Sequence, residues 1–304
     1  MPKELTAGTA AAQTIASKLA GGPKKQYSVK SGKEMRASDS AFNLLVFGEM
    51  GTGKTKIAVD LLLLGLRVVL IDTDFGRKAK ETIQNWFHDH PEHMKFYDEN
   101  LMVIDDLDVE GVMSFCRKPD SVYPDIYNWN PDVLFWDGMS AYQQGDLEAS
   151  LCNDDFKRDD ADYSTWRGSR NGTIFPLMKF LNQHNTETGK QWNKVVTALE
   201  DERIDRRKGA TAAEKKKGED IIAGSESKGP MINTTARELA GAGFGIVLQC
   251  TKQFLGKDTK YHYLSRGEKL ITKDRYGLPP QMDADFKALY KTYIEPKIKG
   301  SASK

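Results

Sequence analysis

No stretch of this sequence approaches the roughly 18 consecutive apolar residues that a membrane-spanning helix needs. Its beginning, Met1-Pro2-Lys3-Glu4, carries no apolar core of the secretory kind. A cytoplasmic chain with no membrane partner is the expectation. Cysteine is scarce: Cys116, Cys152 and Cys250 lie far apart and form no CxxC pair, which argues against a structural zinc site and suits buried thiols in a reducing compartment. Charge of one sign is lacking too. Lys and Arg number 44 against 43 Asp and Glu, for a net charge of +1, so a polyanionic partner would have to be met by a local basic patch. There is no internal repeat. Of the five histidines, His88, His90 and His93 cluster in a polar segment with no evident further ligand, which supports no transition-metal site.

What is present is a core. With 304 residues, 39% of them hydrophobic, the chain can build one large α/β domain with tails, or two modest domains. Residues 1–40, rich in Ala, Gly, Ser, Thr and Lys, are expected to be a flexible basic arm in which Ala10 to Ala20 could form a short helix. From 41 onward, short apolar runs alternate with helical spacing. Strands are expected at Phe42–Phe47, Arg67–Asp72, Leu101–Ile104, Asp132–Asp137, Lys194–Leu199 and Phe244–Gln249. Helices are expected at Lys54–Leu64, Lys78–Phe87 and Ile174–His184. This rhythm implies an α/β domain over 41–295, a mostly parallel, doubly wound sheet with helices on both faces, followed by a tail at 296–304. Two polar stretches, about 153–171 and 203–229, interrupt the rhythm and read as long mobile loops.

One motif carries specific chemistry. Gly48-Glu49-Met50-Gly51-Thr52-Gly53-Lys54-Thr55 fits GxxxxGK[ST] between an apolar strand and an amphipathic helix. Glycines let backbone N–H groups wrap an anion closely. The Lys54 ammonium reaches the β- and γ-phosphates, the Thr55 hydroxyl ligates Mg²⁺, and the helix N-terminus favours negative charge. ATP and Mg²⁺ are therefore the expected cofactors. Asp137 ends an apolar strand where an aspartate can support the Mg²⁺; otherwise it caps the turn at Gly138-Met139-Ser140. A carboxylate is also needed to orient the attacking water. Asp72, Asp74 and Glu200 stand at ends of other strands, which converge on the carboxyl edge of an open sheet. Asp72-Thr73-Asp74 is equally suited to capping the next helix.

The strand end Ile71-Asp72-Thr73-Asp74 resembles the second-strand signature of RecA-like ATPases, whose last acid is the catalytic carboxylate. That position is commonly glutamate, and Asp74 is one methylene shorter. Lys273-Asp274-Arg275-Tyr276-Gly277 resembles the KxRxG element of RadA-like ATPases. That resemblance implies that Lys273 and Arg275 reach a neighbouring subunit's γ-phosphate, so hydrolysis depends on assembly. The order of these elements with the P-loop and Leu134-Phe135-Trp136-Asp137-Gly138, over residues 42 to 280, is similar to phage-type RecA-like ATPases linked to single-strand annealing and recombination, the AAA-domain phage nucleotide-binding proteins.

The resemblance implies a homo-oligomer, ring or filament, with ATP at subunit interfaces and single-stranded DNA bound by loops. Tyr163 and Trp166 interleave with Arg167 and Arg170, offering stacking faces and phosphate contacts. Arg203, Arg206, Arg207 and Lys208 follow the fifth strand, where DNA contact and hydrolysis could be coupled through Glu200. Acidic residues among the first group favour a solvated loop instead. Two alternatives share the P-loop: a hexameric helicase or packaging motor, and a nucleotide-switched binding or regulatory module with little hydrolysis.

Overall fold

The computed structural model describes residues 41–74, 76, 78–104, 109–117, 124–153, 173–185, 187–206, 222–232, 242–256, 258–267 and 270–300. The N-terminal arm, the 154–172 stretch with Tyr163, Trp166, Arg167 and Arg170, and residues Arg207 and Lys208 lie outside them.

Six strands lie side by side in parallel: β7 (Ile246–Leu255), β1 (Asn43–Gly48), β5 (Asn193–Arg206), β4 (Val133–Asp137), β2 (Val68–Asp72) and β3 (Leu101–Ile104), in that spatial order. Their runs are continuously apolar rather than alternating because both faces are covered. Phe42, Leu44 and Val46 point into one core with Phe135, Val195 and Leu248, whereas Leu45 and Phe47 point into the other with Trp136, Val196 and Val247. On the first face pack α1 (Lys56–Leu63), α2 (Lys78–Asp89), α3 (Met94–Asn100) and the C-terminal α8 (Phe286–Leu289). On the second pack α4 (Val109–Arg117), α5 (Pro124–Trp129), α6 (Met139–Asn153) and α7, residues 173–181. This is the mostly parallel, doubly wound α/β architecture that the sequence implies.

α1 contributes Ile57, Ala58, Val59, Leu61 and Leu62 to the core, and also the buried Asp60. That carboxylate accepts from the Phe286 N–H (3.1 Å) and pairs with Lys56 (2.7 Å), so the helix behind the P-loop holds the start of α8. The chain continues from α8 through a π-helical turn, Tyr290–Ile294, into α9 (Glu295–Gly300), so the segment expected as a tail from 296 begins as helix.

Three further departures concern strands. β5 does not stop at Leu199 but runs to Arg206 and pairs antiparallel with β6 (Ile222–Pro230), so the stretch read as a loop from Arg203 to Gly229 begins and ends as a β-ribbon. β7 likewise extends to Leu255 and turns into antiparallel β8 (Asp258–Leu264). Two short strands, β9 (Lys273–Asp274) and β10 (Gln281–Asp283), pair antiparallel with β7 and β8. Beyond the buried sheet these segments are held by main-chain pairing, which leaves no apolar periodicity to read.

Candidate functional site

The P-loop leaves β1 at Gly48, where the backbone of β7 passes so close that a Cβ would fall on the Cys250 carbonyl. Gly51 and Gly53 turn the loop with φ of 70° and 85°, a left-handed conformation that glycine takes without strain. Inside the loop, the Thr52 hydroxyl donates to the Glu49 carbonyl (2.8 Å). The Lys54 ammonium donates to the carbonyls of Gly48 (2.9 Å) and Glu49 (2.7 Å). An ammonium has three N–H donors, so one is left for a phosphate oxygen. Burial lowers the Lys54 pKa from its ordinary value, against the opposing influence of Cys250, Asp137, Asp74 and Glu200.

Asp137 ends β4, 4% exposed. Its Oδ2 accepts from the Thr55 hydroxyl (2.7 Å) and its Oδ1 from the Thr197 hydroxyl of β5. Burial pushes the Asp137 carboxyl up to about 6, although both hydroxyl bonds favour its charged form. A buried carboxylate of this kind is stabilised by a cation, and a hydroxyl and a carboxylate side by side are the hard oxygen donors that suit Mg²⁺. Thr55 and Asp137 therefore fit the metal expected with ATP.

The next strand end is tied to this one. Thr73 N–H donates to the Asp137 carbonyl (3.0 Å), and Trp136 Nε1 donates to the Thr73 hydroxyl (2.9 Å). Asp72 accepts from the N–H groups of Asp74 (3.2 Å) and Lys80 (2.9 Å), which makes it a cap for α2. Burial, the largest influence on Asp72, raises its pKa. Asp74 instead lines the cavity in front of the P-loop.

That cavity has a volume of about 680 Å³, within the range of small-molecule sites. Its walls include the P-loop from Met50 to Thr55, Asp74, Asp137, Ser140, Thr197, Trp86 and Tyr261. Trp86 is stacked at 4.1 Å on His90, whereas Trp192 is wholly buried and Trp129 lies under the Arg67 guanidinium. Tyr261 is 41% exposed and offers a flat face for a base. The lining combines groups that suit a triphosphate, a divalent cation and a planar ring.

Three residues of this wall escaped sequence reasoning. Thr197 is a lone hydroxyl within the apolar run Val195-Val196-Thr197-Ala198, and that interruption was its only signal. Ser140 accepts from the Leu199 N–H (2.9 Å) and donates to the Met231 carbonyl (2.7 Å), joining β5 to the end of the ribbon. Tyr261 sits on a strand that the apolar pattern does not reveal.

Other candidates lie outside the cavity. Glu200 is held by Gln249 (2.6 Å) and Lys228 (3.0 Å). Lys273 pairs with Val247 and the Arg275 N–H bonds the Gly245 carbonyl, so both sit beside the first half of β7, and neither lines its own chain's cavity. Asp274 shapes that turn by accepting from the N–H groups of Tyr276 (2.7 Å), Gly277 (3.0 Å) and Leu278 (2.7 Å). Burial, then the neighbouring Arg275 charge, lowers the Lys273 pKa. Arg203 and Arg206 lie on the ribbon, paired with Ser227 and Ile222.

No protein-family model and no curated protein matches the chain. Among solved structures, it is similar to a KaiC-like protein of the archaeon Pyrococcus horikoshii, at 14% identity over 73% of this chain and 77% of the other, with a TM-score of 0.40. It is also similar to the flagellar accessory protein FlaH of Methanocaldococcus jannaschii, at 11% identity over 75% of this chain and 78% of the other, with a TM-score of 0.36. Among the described residues, no helix is long and apolar enough to cross a membrane.

Proposed function

We propose that this chain is a RecA-like ATPase that binds and hydrolyses ATP and acts on single-stranded DNA in recombination or annealing of the phage type. The observation that carries the ATPase reading is the meeting of Lys54, Thr55 and Asp137 in the wall of one cavity, with the Thr55 hydroxyl 2.7 Å from the Asp137 carboxylate. The P-loop amides and Lys54 bind and orient the β- and γ-phosphates. Mg²⁺, when bound with ATP, neutralises developing phosphate charge. Thr55 and Asp137 supply its protein oxygens. Asp74 lines the same cavity, which Asp72 and Glu200 do not, and we assign to it the orienting of a water. Lys273 and Arg275 serve the nucleotide of a neighbouring copy, a reading supported by their absence from the wall of their own cavity.

The DNA reading rests on the family resemblance and on the two basic segments, of which Arg203 and Arg206 lie on a ribbon leaving the carboxyl edge. A second reading, a nucleotide-switched binding module, is favoured by the short Asp74 side chain at a position that is commonly glutamate. ATP turnover by the purified chain, with and without single-stranded DNA, separates the two. Turnover that rises with DNA and falls by about 100-fold or more in Lys54→Ala is the expected result. Tight ATP binding with no DNA-stimulated turnover supports the binding module instead.

A further inference from the structure

Glu200 stands where β5 passes the end of β1 and goes on alone as the ribbon. Its side chain is 7% exposed, yet its carboxylate is gripped from two sides. Gln249 Nε2 donates to one oxygen (2.6 Å) and the Lys228 ammonium lies 3.0 Å from the other. Gln249 pairs with Phe47 on one flank of β1, and Leu199, the neighbour of Glu200, pairs with Gly48 on the other. The amide–carboxylate bond therefore spans the strand from which the P-loop springs.

The far side of the grip leads elsewhere. Lys228 lies in β6 opposite Glu202, and its carbonyl accepts from the Ile271 N–H (3.0 Å) beside a bridge to Leu270. Two residues after Ile271 comes Lys273. An unbroken series of bonds thus runs from the flank of the P-loop through Gln249, Glu200 and Lys228 to the segment bearing Lys273 and Arg275.

We infer that Glu200 is a positioning residue that carries the nucleotide state of its own subunit to residues 270–275, the segment offered to a neighbour. This rests on the nucleotide reading above. A bound triphosphate brings a dense cluster of acceptors and negative charge to the P-loop. It repels the Glu200 carboxylate, which already lies within electrostatic reach of Lys54. A buried carboxylate pushed from the P-loop side bears harder on its lysine partner, and Lys228 is fixed to Ile271 through the backbone. The subunit thereby presents Lys273 and Arg275 differently with and without nucleotide, which links one site to the next.

Hydrogen exchange on the full chain tests this, with Mg²⁺ and the non-hydrolysable analogue AMP-PNP as probe. In the wild type, exchange of the Ile271 amide changes on the order of tenfold on analogue binding. In Glu200→Gln, which keeps the shape but loses the charge, the analogue still binds within about twofold and the change at Ile271 disappears. Lys228→Met, at a half-exposed residue, gives the same loss and serves if the first variant does not fold. Analogue binding that leaves Ile271 unchanged in the wild type overturns the relay and leaves the nucleotide site standing. A full change at Ile271 in Glu200→Gln overturns the role of Glu200. No analogue binding by the wild type overturns both the relay and the nucleotide reading.

Discussion

At Gly138 the chain turns out of β4 with φ of 97°, and a Cβ there would lie 2.6 Å from the Asp74 nitrogen, 2.7 Å from its Cα and 2.9 Å from the Thr73 carbonyl carbon. Backbone, not a flexible side-chain end, fills that space, so nothing nearby can yield cheaply. Gly138→Ala is expected to destabilise the fold by about 2–3 kcal/mol, read as a lower urea midpoint at unchanged slope. Because the atoms displaced belong to Asp74, turnover should fall by about tenfold or more while nucleotide affinity is largely kept. Wild-type turnover in a stably folded Gly138→Ala would remove Asp74 from the reaction. At this scale the sequence is legible where chemistry dictates residue type. The P-loop and Asp137 stand out in the sequence because their residue types follow a fixed order, and the fold brings Thr55 and Asp137 together. Thr197 and Ser140 do not stand out, since a hydroxyl acquires its role only from the strand end that register places opposite it.

β5 shows the same division along a whole element. Its first half, Lys194 to Leu199, lies between β1 and β4 and announces itself by apolar residues. Its second half, Glu200-Asp201-Glu202-Arg203, is polar and is a strand only because β6 pairs with it, which hydrophobic pattern does not encode. Burial inside this strand also traps a cation. Lys194 is 1% exposed, donates to the Gln183 carbonyl at 2.6 Å, and has its pKa lowered by burial to about 8 from 10.5. The unfolded chain then holds more protons than the native one between about pH 8 and 10.5. Stability attributable to this lysine therefore rises with pH across that window and is lowest below it. Denaturation of wild type and Lys194→Met over pH 7 to 11 should show a difference that shrinks or reverses by about 2–3 kcal/mol as pH rises. A difference independent of pH would mean that Lys194 keeps its ordinary pKa in the fold.

Across the whole molecule, the parallel centre of the sheet and its two covered faces follow from six apolar runs separated by helical spacing. The antiparallel additions β6, β8, β9 and β10 do not: β8, β9 and β10 sit where burial is shallow, and β6 is set by its pairing with β5. Lys273 and Arg275 stand on one of those additions, beside β7 and away from their own cavity. If they complete a neighbour's site, subunits disabled in opposite ways should complement each other. Lys54→Ala and Lys273→Ala, each inactive alone, are expected to regain a quarter or so of wild-type turnover when mixed equally, as random pairing predicts. No recovery under conditions where both assemble would place Lys273 outside the reaction.

The strands at the two ends of the main row, β3 and β10, are four and three residues long, and β10 carries Asp283 beside His262 at 3.5 Å. Borders so brief, one of them charged, give another copy little main chain on which to lay a strand of its own. Among the described residues, these two margins are thus guarded against sticking sideways to a sibling during synthesis or crowding, and a contact made there would rest on side chains that can also let go.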